Sequence, residues 1–163
     1  QPSLFVDGRT EDLHGERTPE NSFMAVLVTR KGKGFRFDTE ALKEPTKRQG
    51  RKIVNLDKDD EVLAVRSGEN EFILIADARG YVLRFRLDQV PIMAGPARGV
   101  TFMKLPENVE IVDMALAKKE DQIRLYNSDE KFDLTEVGKI QLSGRGARGK
   151  KICPGIVKFE HVS

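Results

Sequence analysis

The sequence is poor in the residues that build covalent or metal-held frameworks. It has one cysteine, Cys153, so an internal disulfide network and a cysteine-based zinc cluster are both excluded. Cys153 is expected to be a small buried hydrophobe. There is no tryptophan, and aromatic residues make up only 7% of the chain. No apolar run approaches the ~20 residues that cross a bilayer as a helix. The first residues include Asp7, Glu11 and Asp12 and no apolar stretch, unlike a secretory signal. These absences point to a soluble, cytoplasmic protein without a membrane partner. Net charge is only +2, which excludes an overtly basic arm but says nothing against a local basic patch. The chain opens on Gln1 rather than Met, as expected of part of a longer protein.

At 39% hydrophobic and 33% charged, the chain can bury a core under a strongly ionic surface. Its 163 residues fit one domain, or one and a fraction. Within it runs a repeat with a period of about 49. Lys47-Arg48-Gln49-Gly50-Arg51-Lys52-Ile53 is answered by Pro96-Ala97-Arg98-Gly99-Val100-Thr101-Phe102, and again by Gly146-Ala147-Arg148-Gly149-Lys150-Lys151-Ile152. Each copy has an Arg one or two places before a Gly, and an apolar residue three places after it. Upstream, GKGFRF (Gly32 to Phe37) matches GYVLRF (Gly80 to Phe85). The third copy is degenerate, Phe132-Asp133-Leu134, with Asp133 set where Arg36 and Arg84 stand. DDEVLAV (Asp59 to Val65) answers NVEIVDM (Asn108 to Met114). The repeat divides 24–163 into units 24–69, 70–120 and 121–163, after a turn-rich, acidic lead-in over 1–23.

Each unit reads as β. Met24 to Thr29, Phe72 to Ala76 and Gln122 to Tyr126 are short apolar or β-branched runs. Phe35-Arg36-Phe37 and Leu83-Arg84-Phe85 alternate with the period of a half-buried strand, and Gly32, Gly34 and Gly80 mark tight turns. Helical spacing is weak, enough for a turn or more at Thr39 to Lys43 and at Val109 to Lys119. An all-β array of blades follows, about four strands per ~45–50 residues, in the manner of a propeller. One blade cannot bury both faces alone, so neighbouring blades make the core.

Cations gather at the Gly-bearing turns. By unit the net charge is −3 over 1–23, +3 over 24–69, 0 over 70–120 and +2 over 121–163. Three short windows contain no acid: Arg30, Lys31, Lys33 and Arg36; Lys47, Arg48, Arg51 and Lys52; Arg145, Arg148, Lys150 and Lys151. In stacked blades, equivalent turns share a rim, and a periodic band of cations suits the phosphates of duplex DNA, with counterion release as a driving term. Adjacent Gly N–H groups also reach phosphate oxygens. Aromatic residues do not interleave with these turns, which favours duplex over single strand. The candidate contacts are Lys31, Lys33, Lys47, Arg48, Arg51, Lys52, Arg98, Arg145, Arg148, Lys150 and Lys151, with Arg36 and Arg84, on strands, in a second tier. The alternative is a propeller-like scaffold for protein partners, without DNA affinity, whose charges serve solubility. The DNA reading requires the cationic turns to share one rim.

At these residues the sequence resembles the C-terminal domain of bacterial type IIA topoisomerase A subunits, those of DNA gyrase and topoisomerase IV. GPARGVTFMKL (Gly95 to Leu105) followed by NVEIVDM resembles that domain's repeat, and ILIADARGYVLRFRLDQVP (Ile73 to Pro91) its opening strands. TRKGKGFRF (Thr29 to Phe37) and KRQGRKIVNL (Lys47 to Leu56) extend the likeness over about 24–152. The resemblance implies a β-pinwheel, a propeller-like disc whose blades exchange a strand and whose basic rim bends and wraps duplex DNA. It further implies a parent isomerase that breaks and rejoins double-stranded DNA, the partners being the rest of the A subunit plus an ATPase B subunit. The cleavage tyrosine of such an enzyme lies elsewhere, so Tyr81 and Tyr126 are expected to be packed strand residues, and this chain is expected to have no catalytic role and no cofactor. Gyrase carries a box close to Gln-Arg-Arg-Gly-Gly-Lys-Gly. SGRGARGKK (Ser143 to Lys151) and KRQGRK (Lys47 to Lys52) both depart from it, which favours the topoisomerase IV type, or a partial or truncated gyrase domain, and argues against strong wrapping. About three units are visible, where the family's discs have five, six or more.

Other motifs carry less. Gly144 to Gly149 spells G-x-G-x-x-G, but a dinucleotide site needs a helix after it, and Cys153-Pro154 follows. His14 and His161 are isolated and lack metal-ligand spacing. The acidic run Asp57 to Glu61 lacks the loop length of a calcium site and is expected to be a solvated turn.

Overall fold

The computed structural model describes residues 5–6, 24–39, 51–52, 54–68 and 70–162. Its organising unit is a β-hairpin, repeated. Strands β2 (Met24–Thr29) and β3 (Lys33–Asp38) form the first, β6 (Phe72–Asp77) and β7 (Tyr81–Arg86) the second, and β10 (Gln122–Tyr126) and β11 (Phe132–Glu136) the third. The residue closing the first strand of each hairpin, or the one just after it, carries a side-chain oxygen that ties the turn. Thr29 Oγ1 accepts the Lys33 N–H at 3.1 Å. Asp77 Oδ1 accepts those of Arg79 at 2.8 Å and Tyr81 at 3.3 Å, and Asn127 Oδ1 those of Asp129 at 2.9 Å and Lys131 at 3.1 Å. Short polar side chains favour such turns because they substitute for a backbone acceptor.

A third strand lies on the far side of each hairpin's first strand: β5 (Val62–Ser67) on β2, β9 (Ile111–Ala117) on β6, and β13 (Lys158–His161) on β10. The fourth strand comes from the following unit. The two-residue strand β8 (Val100–Thr101) pairs with β3, and β12 (Lys150–Lys151) pairs with β7. The sheets therefore read β5-β2-β3-β8, β12-β7-β6-β9 and β11-β10-β13, all antiparallel. At the matching place in the first unit, β4 (Arg51–Lys52) pairs with β1 (Phe5–Val6). Each sheet that gains a fourth strand thus spans two sequence units, and the exchange locks adjacent blades together.

The core lies between blades. Val26 and Val28 of blade one pack with Ile73, Ile75, Leu83 and Phe85 of blade two, where Phe85 and Phe102 meet edge to face at 5.4 Å. The opposite face of blade two packs Leu74, Ala76 and Val82 against Ile123, Leu125 and Cys153. Blade two is covered on both sides, so every residue of β6 is buried, and its sequence FILIA shows no alternation.

Several expectations are corrected here. Val109 to Lys119 is strand, not helix: it contains β9. Its spacing is explained by a bulge, since Ala76 pairs with Asp113 and Asp77 with Ile111, leaving Val112 unpaired. The extra residue leaves Ile111 three places before Met114 on the face packed toward blade one, which mimics a helical spacing. The third hairpin is also in a different register from the sequence match. Leu134 pairs with Arg124 as Arg36 pairs with Val26 and Arg84 with Leu74. Leu134, not Asp133, therefore takes the arginine position.

Arg84 itself is only 6% exposed. Its Nε donates to the Ile140 carbonyl at 2.9 Å, and its guanidinium lies 4.4 Å from the centre of the Phe72 ring. Arg36 is half-buried and makes the equivalent bond to the Val90 carbonyl at 2.9 Å. Burial draws the Arg36 pKa below the ordinary arginine value, with Asp88 opposing. Both arginines bind one unit to the next, because this face of the hairpin packs on its neighbour. Arg84 is not available to phosphate.

Candidate nucleic-acid interface

The segment that leads into the exchanged strand β12 brings three of the candidate cations, Arg148, Lys150 and Lys151, to one place. Before β12, Gly149 has φ +76°, and a Cβ there would lie 2.7 Å from the Val82 carbonyl oxygen. Only glycine lets the chain cross β7 this closely. The crossing leaves Arg148 on one side and the exposed Lys150 and Lys151 on the other. One cleft of about 410 Å³ is lined by Arg79, Tyr81, Lys104, Leu105, Pro106, Arg148 and Gly149. A second, of about 230 Å³, is lined by Val82, Lys139, Ile140, Gln141, Ser143, Gly149, Lys150, Lys151 and Ile152. The clefts share Gly149, and no carboxylate is among the residues lining either.

Lys104, Lys139, Arg148, Lys150 and Lys151 have no side-chain hydrogen bond or ion pair among the described residues. Arg79 is engaged: its Nη2 lies 2.7 Å from Oδ2 of the fully buried Asp77, and its guanidinium stacks 3.8 Å above the Tyr81 ring. A groove of unpaired cations without acid is suited to a polyanion.

The other candidates fall differently. Arg145 works as a staple, its Nε donating to the Gln89 carbonyl at 2.8 Å and its Nη1 to that of Thr101 at 2.9 Å. Lys31 donates from Nζ to the Lys58 carbonyl at 2.8 Å, and Lys33 to Thr101 Oγ1 at 3.1 Å. The Arg98 side chain is 76% exposed, with Nε 3.6 Å from Asp57 Oδ1. Lys47 and Arg48 lie outside the described residues, as do the side chains of Arg51 and Lys52. The structure thus brings Arg148, Lys150 and Lys151 together and adds Lys104 and Lys139, which the sequence reading missed. Lys104 had a signal: it follows the glycine turn GVTFMK, and its N–H is pinned to the Ala147 carbonyl of the next unit at 2.9 Å.

A third cavity, of about 550 Å³, lies among β5, β9 and β13. Its lining includes two carboxylates, Asp113 paired with Arg66 at 3.1 Å and Asp121 beside His161 at 3.5 Å, with Lys118 its one remaining cation, so it lacks the acid-free surplus of the other two clefts. Tyr126 is a packed strand residue whose hydroxyl donates to Glu160 Oε1 at 3.3 Å.

The family model described as DNA gyrase C-terminal domain, beta-propeller, matches residues 24–67, 72–118 and 134–159. The chain belongs to this family. Among curated relatives, the DNA gyrase A protein of Kosmotoga olearia is 31% identical over 141 residues, covering 84% of this chain and 17% of that protein. The DNA gyrase A protein of Staphylococcus epidermidis is 32% identical over 107 residues, covering 64% of this chain and 12% of that protein. The chain therefore spans less than about a fifth of the length of the curated relatives it matches. Among solved structures, a DNA gyrase A C-terminal domain superposes with a TM-score of 0.80 at 24% identity, covering 88% of this chain and 52% of that one. A topoisomerase IV C-terminal domain gives 0.76 at 22%, covering 88% and 48%. The three blades of this gyrase C-terminal-domain relative are thus a partial β-pinwheel, about half the length of those solved domains.

Proposed function

We propose that this chain binds and bends duplex DNA through sequence-independent phosphate contacts, as the C-terminal module of a bacterial type IIA topoisomerase A subunit. The observation that carries the reading is the pair of adjoining, acid-free clefts that hold Lys104, Arg148, Lys150, Lys151 and Lys139. Cations held on exchanged strands report to the interblade seam, and seams repeat around an arc, so contacts are spread along a curved path. Bending a 20–30 bp site costs roughly 1–6 kcal/mol, which favours distributed contacts over a single anchor.

In this reading the chain contributes binding and geometry to an isomerase that breaks and rejoins double-stranded DNA in the bacterial cytoplasm, at the nucleoid. The chemistry belongs to the rest of the A subunit; ATP use belongs to the B subunit. The departure of Ser143 to Lys151 from the gyrase box supports a topoisomerase IV-type parent over a gyrase-type one. Relatives and solved domains of the gyrase type stand beside the topoisomerase IV structure, so this preference rests on the box alone.

The test is fluorescence anisotropy with a ~40 bp duplex between about 50 and about 300 mM salt, beside a variant with Arg148, Lys150 and Lys151 changed to Glu. Binding that weakens steeply with salt and collapses in the variant is expected, with a slope of about −0.9 per phosphate neutralised. Absence of binding at about 50 mM salt, where phosphate contacts are strongest, would instead favour the scaffold reading.

A further inference from the structure

The two interblade crossings follow one plan. Asn55 donates its N–H to the Ala97 carbonyl at 2.9 Å, as Lys104 does to Ala147 at 2.9 Å. Asp60 N–H reaches Asp57 O at 3.1 Å, as Val109 N–H reaches Pro106 O at 3.2 Å. Asp59 and Asn108 both sit in the left-handed region, at φ 62° and 65°. These shared bonds place Lys31, Lys33, Asn55, Asp57 and Arg98 at the first crossing in register with Arg79, Tyr81, Lys104, Pro106 and Arg148 at the second.

The two sets are used differently. At the first crossing, each cationic head meets a group of the same chain: Lys31 the Lys58 carbonyl at 2.8 Å, Lys33 the Thr101 hydroxyl at 3.1 Å, and Arg98 the Asp57 carboxylate at 3.6 Å. The acidic turn is packed in further, since Asp60 Oδ1 accepts the Lys31 N–H at 3.1 Å, and Glu61 pairs with Arg30. At the second crossing, Asn55 is replaced by Lys104, and Asp57 by the uncharged Pro106. Arg79 is paired, with the buried Asp77. Lys104 and Arg148 line the same cleft with no partner among the described residues.

We infer that the crossings are unequal phosphate sites: the Lys104–Arg148 cleft holds the DNA backbone, while Asp57 occupies Arg98 and withholds the first crossing. The inference rests on the DNA-binding reading above and adds where along the arc the backbone is held. Asp57 acts twice, since it engages the guanidinium and repels an incoming phosphate oxygen. An exposed pair at this separation is weak, so the withheld contact is one that a single neutralisation restores.

The experiment is anisotropy of the full chain with a ~40 bp duplex at about 50 mM salt and over a salt series. Four variants are compared with the parent: Arg148→Ala, Arg98→Ala, Asp57→Asn and Asp57→Asn with Arg98→Ala. Thermal melts confirm that each variant is folded. Arg148→Ala is expected to weaken binding roughly three- to tenfold and to lower the salt slope by about one. Arg98→Ala is expected to change affinity by less than about twofold. Asp57→Asn is expected to tighten binding about two- to fivefold and to steepen the slope by about one, and adding Arg98→Ala cancels that gain. Equal losses from Arg98→Ala and Arg148→Ala, or no gain from Asp57→Asn, would overturn the allocation while the DNA reading stands. Failure of the parent chain to bind DNA would remove the reading itself, and the allocation with it.

Discussion

Replacing Gly80 by alanine tests whether the exchanged strand holds the blades together. Gly80 sits at φ +93°, and a Cβ there would lie 1.7 Å from the Cys153 carbonyl oxygen and 2.8 Å from the Gly155 nitrogen. Both are backbone atoms, so no side chain can swing aside. Gly146 provides the matched control: its φ is +88°, but its nearest neighbour, the Thr101 carbonyl oxygen, would be 3.8 Å from the added Cβ. Alanine in the left-handed region costs about 1–2 kcal/mol, and the stiffer unfolded chain returns about 0.4–1 kcal/mol. Gly146→Ala should therefore destabilise by at most about 1.6 kcal/mol. Gly80→Ala must also displace the segment after β12. That breaks the Ile152 N–H to Gly80 O bond at 3.0 Å and strains the Gly155 N–H to Arg79 O bond at 3.4 Å and the two-residue pairing of Lys150–Lys151 with β7. At about 0.5–1.5 kcal/mol per bond, the total is about 2–5 kcal/mol. Urea denaturation of the two variants should separate them by at least about 1 kcal/mol, and melting of Gly80→Ala should fall roughly 5–15 °C below the parent. If the two variants are equally stable, the crossing is not a seat that the fold depends on, and the reasoning is refuted.

Three further outcomes follow from the interblade contacts. Arg84→Met keeps the packing but leaves the Ile140 carbonyl without its donor. It should cost about 1–3 kcal/mol with DNA affinity unchanged at matched folded fraction, and loss of affinity without loss of stability would contradict its structural role. Asp113 joins all three blades: it pairs with Arg66 at 3.1 Å, and its Oδ2 accepts the Phe159 N–H at 2.7 Å. Asp113→Ala should destabilise by about 1–3 kcal/mol in chemical denaturation, and a neutral result would mean that β13 is held by its ladder alone. The Glu160 carboxyl accepts from Arg124 at 2.7 Å, which holds its pKa below the ordinary glutamate value. A depressed folded-state pKa gives stability that is present above the unfolded value and lost as pH falls through the folded one. An NMR titration should place Glu160 below the ordinary glutamate value, and Arg124→Ala should return it upward, whereas an unmoved midpoint would dismiss the pair.

The repeat, the hairpins and the all-β class are written in the chain itself. Those signals are local: Met24–Thr29, Phe72–Asp77 and Gln122–Tyr126 are strands because short apolar runs end beside a residue whose side chain ties the turn, and each is legible within a few positions. The chain also marks Arg148, Lys150 and Lys151, since cations beside a glycine turn recur with the repeat. The remainder depends on how the blades meet. The exchanged strands are two residues each, too short to show a period, and their partners lie in another unit. Arg36 and Arg84 alternate with apolar neighbours as an exposed strand face would, yet the next blade covers that face, fully at Arg84 and partly at Arg36, and both arginines donate to its carbonyls. A bulge made β9 look helical by displacing one residue from the ladder. Lys104 joined the cationic cleft only because the Ala147 backbone draws its segment beside Arg148. Charge and hydropathy are read one residue at a time, whereas burial and pairing depend on which blade arrives against which face.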